Sequence, residues 1–170
     1  EEIIDLLRTA RDNGIPFVVL GNGSNVLVKD KGVRGLVIRI NSAMSRAQAE
    51  GNTVRAQAGI MMGALARFLA AHSLAGFEFA SGIPGCLGGG IYMNAGAYNG
   101  DIGSLIKEVY FIDENLNLKT LKNEQLDFSY RHCALSGRNV VITGACLELE
   151  QGNKEQINEL IRDYTRRRRE

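Results

Sequence analysis

Residues 81–98, SGIPGCLGGGIYMNAGAY, form the densest run of glycine in the chain, beside Pro84, one of only two prolines. Glycine has no Cβ, so such a run lets backbone N–H groups come close to a bulky anion. Residues 85–94 read as a short helix whose first turn follows Pro84. A helix start offers unpaired N–H donors and a positive dipole end, both suited to phosphate. The same glycines also suit a helix packed tightly against a sheet, and both readings stand.

A second glycine turn, Gly21-Asn22-Gly23-Ser24-Asn25, follows the apolar run Phe17-Val18-Val19-Leu20. It fails as a dinucleotide-fold fingerprint. Val26 stands where the third glycine belongs, and Val26-Leu27-Val28 continues as a strand where a helix is needed. The turn is either a hairpin connection of Asn-Gly type or a nest of successive N–H groups that receives an anion. In the second case Ser24 and Asn25 add side-chain donors. Two separate hollows suit a diphosphate better than one, so together they point to a dinucleotide cofactor.

Around these loops the pattern is α+β. Ile3, Ile4, Leu7 and Ala10 recur at helical spacing until Gly14 and Pro16 end the helix. Residues 17–20, 26–28 and 35–40 read as strands, and residues 41–50 as a polar connection between domains. A strand is expected over 53–58. A helix is expected over 60–74, with Met61, Leu65, Phe68 and Leu69 on one stripe and His72 capping its end. Residues 105–112 and 116–121 read as a hairpin, and 139–149 as a long strand. Asn153 is placed to cap a last helix, with Gln156 in capping-box position and Ile157, Leu160, Ile161 and Tyr164 on its buried stripe.

The net charge of +1 over 170 residues excludes polyanion binding by bulk charge. No stretch is apolar for long enough to span a bilayer. Neither nucleic acid nor membrane is therefore expected as a partner. Cys86, Cys133 and Cys146 are odd in number and form no close pair. That argues against a disulfide frame or a metal site, and for a reducing cytoplasm. The chain starts inside a helical pattern and ends just after Arg166-Arg167-Arg168-Arg169, as an excerpt from a longer protein would.

Outside the glycine loops, Arg131 is the leading candidate, flanked by Tyr130 and His132. A planar guanidinium grips a carboxylate with two hydrogen bonds and steadies an oxyanion in a dry site; the ordinary alternative is a surface arginine. His132 is open to a role as flavin anchor or base, and Cys133 to one as nucleophile or as a small buried residue. The arginine run is either a solvated helix end or a phosphate contact.

Three motifs occur in order: Gly21-Asn22-Gly23-Ser24-Asn25-Val26-Leu27; then Gly82-Ile83-Pro84-Gly85, Gly88-Gly89 and Met93-Asn94-Ala95-Gly96-Ala97-Tyr98; then Phe128-Ser129-Tyr130-Arg131. Together they closely resemble the UDP-N-acetylenolpyruvoylglucosamine reductases of bacterial cell-wall synthesis, over essentially the whole chain. The resemblance implies the two-subdomain FAD-binding fold of the vanillyl-alcohol-oxidase-like flavoproteins. Residues 1–40 would be part of the first subdomain and residues 41–170 the second, with the substrate domain absent. It implies FAD as cofactor, NADPH as co-substrate, a UDP-sugar as substrate, a monomeric parent and a cytoplasmic location in peptidoglycan synthesis, which serves cell shape and division.

By the same resemblance, Gly21, Asn22, Gly23, Ser24 and Asn25 contact FAD at its diphosphate. Gly82, Ile83, Pro84, Gly85, Gly88, Gly89, Asn94, Ala95, Gly96 and Ala97 form a second cofactor segment. Tyr130 and Arg131 bind substrate, and Arg131 steadies the carboxylate and the enolate formed when hydride reaches the alkene. No metal is implied. The family's serine proton donor and its late acidic residue have no counterpart here, so the chain would hold the cofactor half of the enzyme and be inactive alone. Two alternatives remain at this level: a flavin-binding module without reductase activity, and a related flavin oxidase with covalently attached cofactor.

Overall fold

The computed structural model describes residues 1–168. It opens with helix α1 (Glu2–Asp12), which buries Leu7 and Ala10. Gly14, at φ +62°, ends the helix in a conformation that glycine adopts without strain. Strands β1 (Phe17–Leu20) and β2 (Leu36–Arg39) pair in parallel, Phe17 opposite Leu36. The strand expected over Val26-Leu27-Val28 does not form. These residues lie in the loop joining β1 to β2, and Leu27 is 96% exposed. A short apolar run becomes a strand only beside a partner, and β1 and β2 have each other.

The connection expected over residues 41–50 is also corrected. Asn41 Oδ1 accepts from Ala43 N–H at 3.0 Å, closing a single 3₁₀ turn (Ser42–Met44). Strand β3 (Ala47–Glu50) follows and pairs antiparallel with β4 (Thr53–Gln57). Its Ala-Gln-Ala-Glu alternation turns two small residues inward. Helix α2 (Met62–Ala71) then buries Met62, Leu65, Ala66, Leu69 and Ala70. Met61, expected on the buried stripe, is the extended N-cap and is 39% exposed. The helix begins two residues later than expected, so its apolar face starts at Met62. His72 does cap α2, its Nδ1 2.8 Å from Phe68 O.

Short strand β5 (Leu74–Ala75) leads to helix α3 (Leu87–Tyr92), which is six residues long. Strands β6 (Gly96–Ala97) and β7 (Gly100–Asp101) make a tight hairpin, and β8 (Ile106–Ile112) and β9 (Leu118–Lys122) a longer one. Strand β10 (Val141–Glu148) runs through the centre of a five-stranded antiparallel sheet of order β3-β4-β10-β8-β9. Strand β11 (Glu150–Gln151) pairs with β5.

Helix α4 (Lys154–Arg167) closes the described chain. Asn153 Oδ1 accepts from Glu155 and Gln156 N–H, as its position in the sequence implies. Ile157 is buried, with Ile161 and Tyr164 packed against the core. Leu160, expected with them, is 42% exposed. One contiguous apolar core runs from Leu7 and Ile38 through the inner face of the large sheet to α2 and α3. None of the described helices is long and apolar enough to cross a membrane.

Candidate functional site

The two glycine loops, more than sixty residues apart in sequence, meet across one cleft of about 820 Å³. Asn22 Nδ2 donates to Pro84 O at 3.1 Å and ties one wall to the other. Gly21 lies so close to Cys86 that a Cβ there would run into the Sγ. The loop after β1 therefore neither folds as a hairpin turn nor continues as a strand. Among the described residues, nothing accepts from the backbone N–H of Asn22, Gly23, Ser24 or Asn25. Gly23 sits at φ +71° with open space where a Cβ would be. Unpaired backbone donors lining an open hollow suit an anion.

The glycines of the second wall divide into two sets. Gly88 and Gly90 face inward. A Cβ on Gly88 would come 2.9 Å from Ala58 Cβ, and one on Gly90 would come 2.9 Å from Met62 Cε. These two let α3 lie flat on β4 and α2. Gly85 and Gly89 face the cleft, where a Cβ would meet only Ser24 Oγ at 3.6 Å or Cys86 Sγ at 4.0 Å. Apolar side chains of Ile40, Ala58 and Ile142 line it deeper in.

Arg131 stands at the tip of a two-residue turn. Ser129 N–H donates to His132 O at 3.1 Å and His132 N–H donates to Ser129 O at 3.2 Å. Arg131 takes φ +57°, with its Cζ 5.9 Å from the centre of the Tyr130 ring. Arg131 lines the cleft, and among the described residues no carboxylate pairs with it. Arg138, also lining the cleft, is held by Glu114 through two hydrogen bonds of 2.9 Å. That guanidinium keeps the Glu114 carboxyl below the usual carboxylate range. The walls carry no Asp, Glu, Lys or His among the described residues.

Most expected site residues converge: Gly21 to Asn25, Ile83, Pro84, Gly85, Gly88, Gly89, Ala95 and Arg131 all line the cleft. Gly82, Asn94, Gly96, Ala97 and Tyr130 do not. Gly82 gives room to Arg168, whose Cδ would sit 2.9 Å from a Cβ there. Gly96 and Ala97 form β6, and Tyr130 is 90% exposed. Asn94 is 7% exposed and spends its amide inside the protein, donating to Ser129 O at 3.0 Å and accepting from Gly103 N–H at 2.8 Å.

Sequence reasoning had not brought Arg138, Tyr92 or Cys86 to the site. The arginine run divides. Arg166 and Arg167 pair with Asp163 at 2.8 and 2.6 Å, whereas Arg168 lines the cleft. Arg169 lies outside the described residues. Cys133 is fully buried, its Sγ 3.6 Å from Tyr92 O, as a small packing residue.

Unpaired N–H donors, open glycine faces and arginines around an apolar hollow fit a dinucleotide diphosphate and its attached ring. The comparisons agree with that chemistry. The family model described as FAD binding domain matches residues 1–120. A UDP-N-acetylenolpyruvoylglucosamine reductase of Clostridium perfringens is 42% identical over 168 residues, 99% of this chain and 55% of the relative. The crystal structure of UDP-N-acetylenolpyruvylglucosamine reductase from Thermus caldophilus superimposes with a TM-score of 0.81 at 31% identity, over 95% of this chain and 59% of that one. A solvent-stable cholesterol oxidase shares the fold, with a TM-score of 0.68 at 19% identity over 88% of this chain and 33% of that one. The chain thus spans about half the length of the curated relatives it matches.

Proposed function

The chain belongs to the FAD binding domain family, and from that premise we propose that it is the cofactor-holding part of a reductase acting on the enolpyruvyl ether of a UDP-sugar, with NADPH as electron source. The observation that carries this reading is the meeting of the unpaired N–H groups of residues 22–25 with the open glycine faces of residues 85–89 in one cleft that Arg131 lines.

In this reading the N–H groups of Asn22 to Asn25 bind the pyrophosphate, with Ser24 and Asn25 side chains as further donors. Gly85 and Gly89 let backbone approach the cofactor where any side chain would fill the space. Ile40, Ala58 and Ile142 keep that region dry, which strengthens each polar contact within it. Bound FAD supplies the relay of hydride from the nicotinamide to the alkene. Arg131 pairs with the substrate carboxylate, holding the alkene in place, and offsets the negative charge that develops as the enolate forms. An unpaired anion would be costly there, and Arg131 is uncommitted to any carboxylate among the described residues. Proton delivery to the product falls to a group beyond the cleft walls, which hold no carboxylic acid or imidazole among the described residues.

The test separates the two half-reactions in the chain extended to the length of its relatives. Arg131→Ala is expected to slow flavin reoxidation by the enolpyruvyl substrate about a hundredfold or more, in the range of losing one oxyanion donor. Flavin reduction by NADPH should stay within about twofold of the unchanged protein, since a group acting only in the later transition state leaves the earlier step alone. Equal slowing of both steps would remove Arg131 from this role. Oxidation of an alcohol with oxygen as acceptor would point instead to the oxidases that share the fold.

A further inference from the structure

We propose that Asn94 is a positioning residue that couples the cofactor-facing helix α3 to the Arg131 turn; the inference rests on the function proposed above. Asn94 follows Met93, the C-cap of α3, and takes φ +39°. Left-handed backbone of this kind is tolerated best by glycine and asparagine. Its amide is 35 residues from Ser129 in sequence yet donates to Ser129 O at 3.0 Å, at the base of the hairpin that carries Arg131. The amide oxygen accepts from Gly103 N–H at 2.8 Å, so the two bonds fix one orientation of an amide that is 7% exposed and is not on the cleft wall.

The other end of the same loop is clamped to the same segment. Ser136 Oγ donates to Tyr92 O at 2.8 Å, and Gly137 N–H donates to the Tyr92 hydroxyl at 2.7 Å. Residues 92–94 therefore hold the loop from 129 to 137 at both ends. The residue before the N-cap of α3, Gly85, and Gly89 within the helix face the cleft. One short helix thus sets both where the cofactor segment lies and where the guanidinium stands. Arg131 itself is on an exposed turn with no ion pair among the described residues, so its placement depends on what holds the turn. Positioning of this kind governs rate because a misplacement of about 1 Å in a reacting group costs on the order of a hundredfold.

The decisive variant is Asn94→Asp. The carboxylate still accepts from Gly103 N–H but cannot donate to Ser129 O. In the chain at full reductase length, FAD affinity should stay within about twofold while flavin reoxidation by substrate slows about tenfold, as expected for one lost buried hydrogen bond to a neutral group. In an Arg131→Ala background the same change should slow reoxidation no further, because residues acting as a unit are non-additive. Full additivity of the two substitutions, or loss of FAD affinity in step with rate, overturns the proposal. An independent readout needs no turnover. Trypsin should release the fragment ending at Arg131 about tenfold faster from Asn94→Asp than from the unchanged 170-residue protein, since the turn then opens more often. If the unchanged chain at full reductase length binds FAD but leaves the enolpyruvyl ether intact, the function proposed above fails, and the tryptic ratio alone judges Asn94. An unchanged ratio then overturns it. Should Asn94→Asp not fold, Asn94→Gly, which accepts the φ of +39° and removes the donor to Ser129 O, allows the same comparisons.

Discussion

Gly88 and Gly89 are neighbours in α3 with opposite surroundings. A methyl group on Gly88 would press on Ala58, 2.9 Å from its Cβ and 3.3 Å from its carbonyl oxygen, the latter receiving Gly88 N–H. On Gly89 it would reach only the cleft, with Cys86 Sγ at 4.0 Å. Gly88→Ala should therefore lower stability by about 1–3 kcal/mol through overpacking. Gly89→Ala should leave stability unchanged or raise it by about 0.5–1 kcal/mol, the gain of alanine over glycine inside a helix. It should also weaken FAD binding about tenfold or more, equivalent to about 1.4 kcal/mol. Denaturant titration with and without FAD reads both quantities. The reverse pattern would mean that Gly88 and not Gly89 faces the cofactor. At this scale the sequence was informative where backbone does the binding, because only glycine can leave such a space. It was uninformative about Asn94, whose hydrogen-bonding partner Ser129 lies 35 residues away and has no local signature.

Among the elements, those whose own residues carry a strong apolar or capping pattern are readable: α1, the β8–β9 hairpin, β10 and the Asn153 cap of α4 follow their residues closely. Those whose composition points the other way are not. Residues 26–28 look like a strand but find no edge to join, and Ala47–Glu50 look like a linker but find β4. The β8–β9 turn matters to the site through one pair. Glu114, in that turn, holds Arg138 by two hydrogen bonds, and Arg138 lines the cleft. The Glu114 carboxyl is depressed by its hydrogen bonds from Arg138, so its contribution to stability is present above the unfolded-state value and is lost as pH falls through the lower folded-state value. The stability difference between the unchanged protein and Glu114→Gln should therefore be largest near neutrality and vanish below the ordinary glutamate range. Urea midpoints from pH 7 down to 3 check the sign. Because the pair is exposed, the difference should also shrink with added salt.

For the whole molecule, holding a cofactor and completing a reaction come apart. The core is continuous from α1 to α4, and both walls of the cleft belong to it or are tied across it by Asn22 and Pro84. On the function proposed above, that should suffice for binding. A ligand that binds only the folded state stabilises by mass action, about 2.7 kcal/mol at a free concentration one hundred times its Kd. For a chain of 170 residues this corresponds to a rise in Tm of roughly 5–10 °C. The isolated chain should show that rise with FAD, growing with the logarithm of FAD concentration, and should carry the absorbance of oxidised flavin. Reduction of the enolpyruvyl ether also requires a proton donor at the reacting carbon, and the described cleft walls offer no carboxylic acid, imidazole or ammonium group. Their hydroxyls are Ser24, beside the unpaired loop N–H groups, and Tyr92, which already receives Gly137 N–H. Supplied with FAD, NADPH and substrate, the isolated chain should give no product above background. Restoring the length of its relatives should restore turnover without changing FAD affinity by more than about tenfold, since the donor and the diphosphate site would then lie on different parts of the protein. Product from the isolated chain would mean that one of those two hydroxyls, or the Cys86 thiol, is the acid.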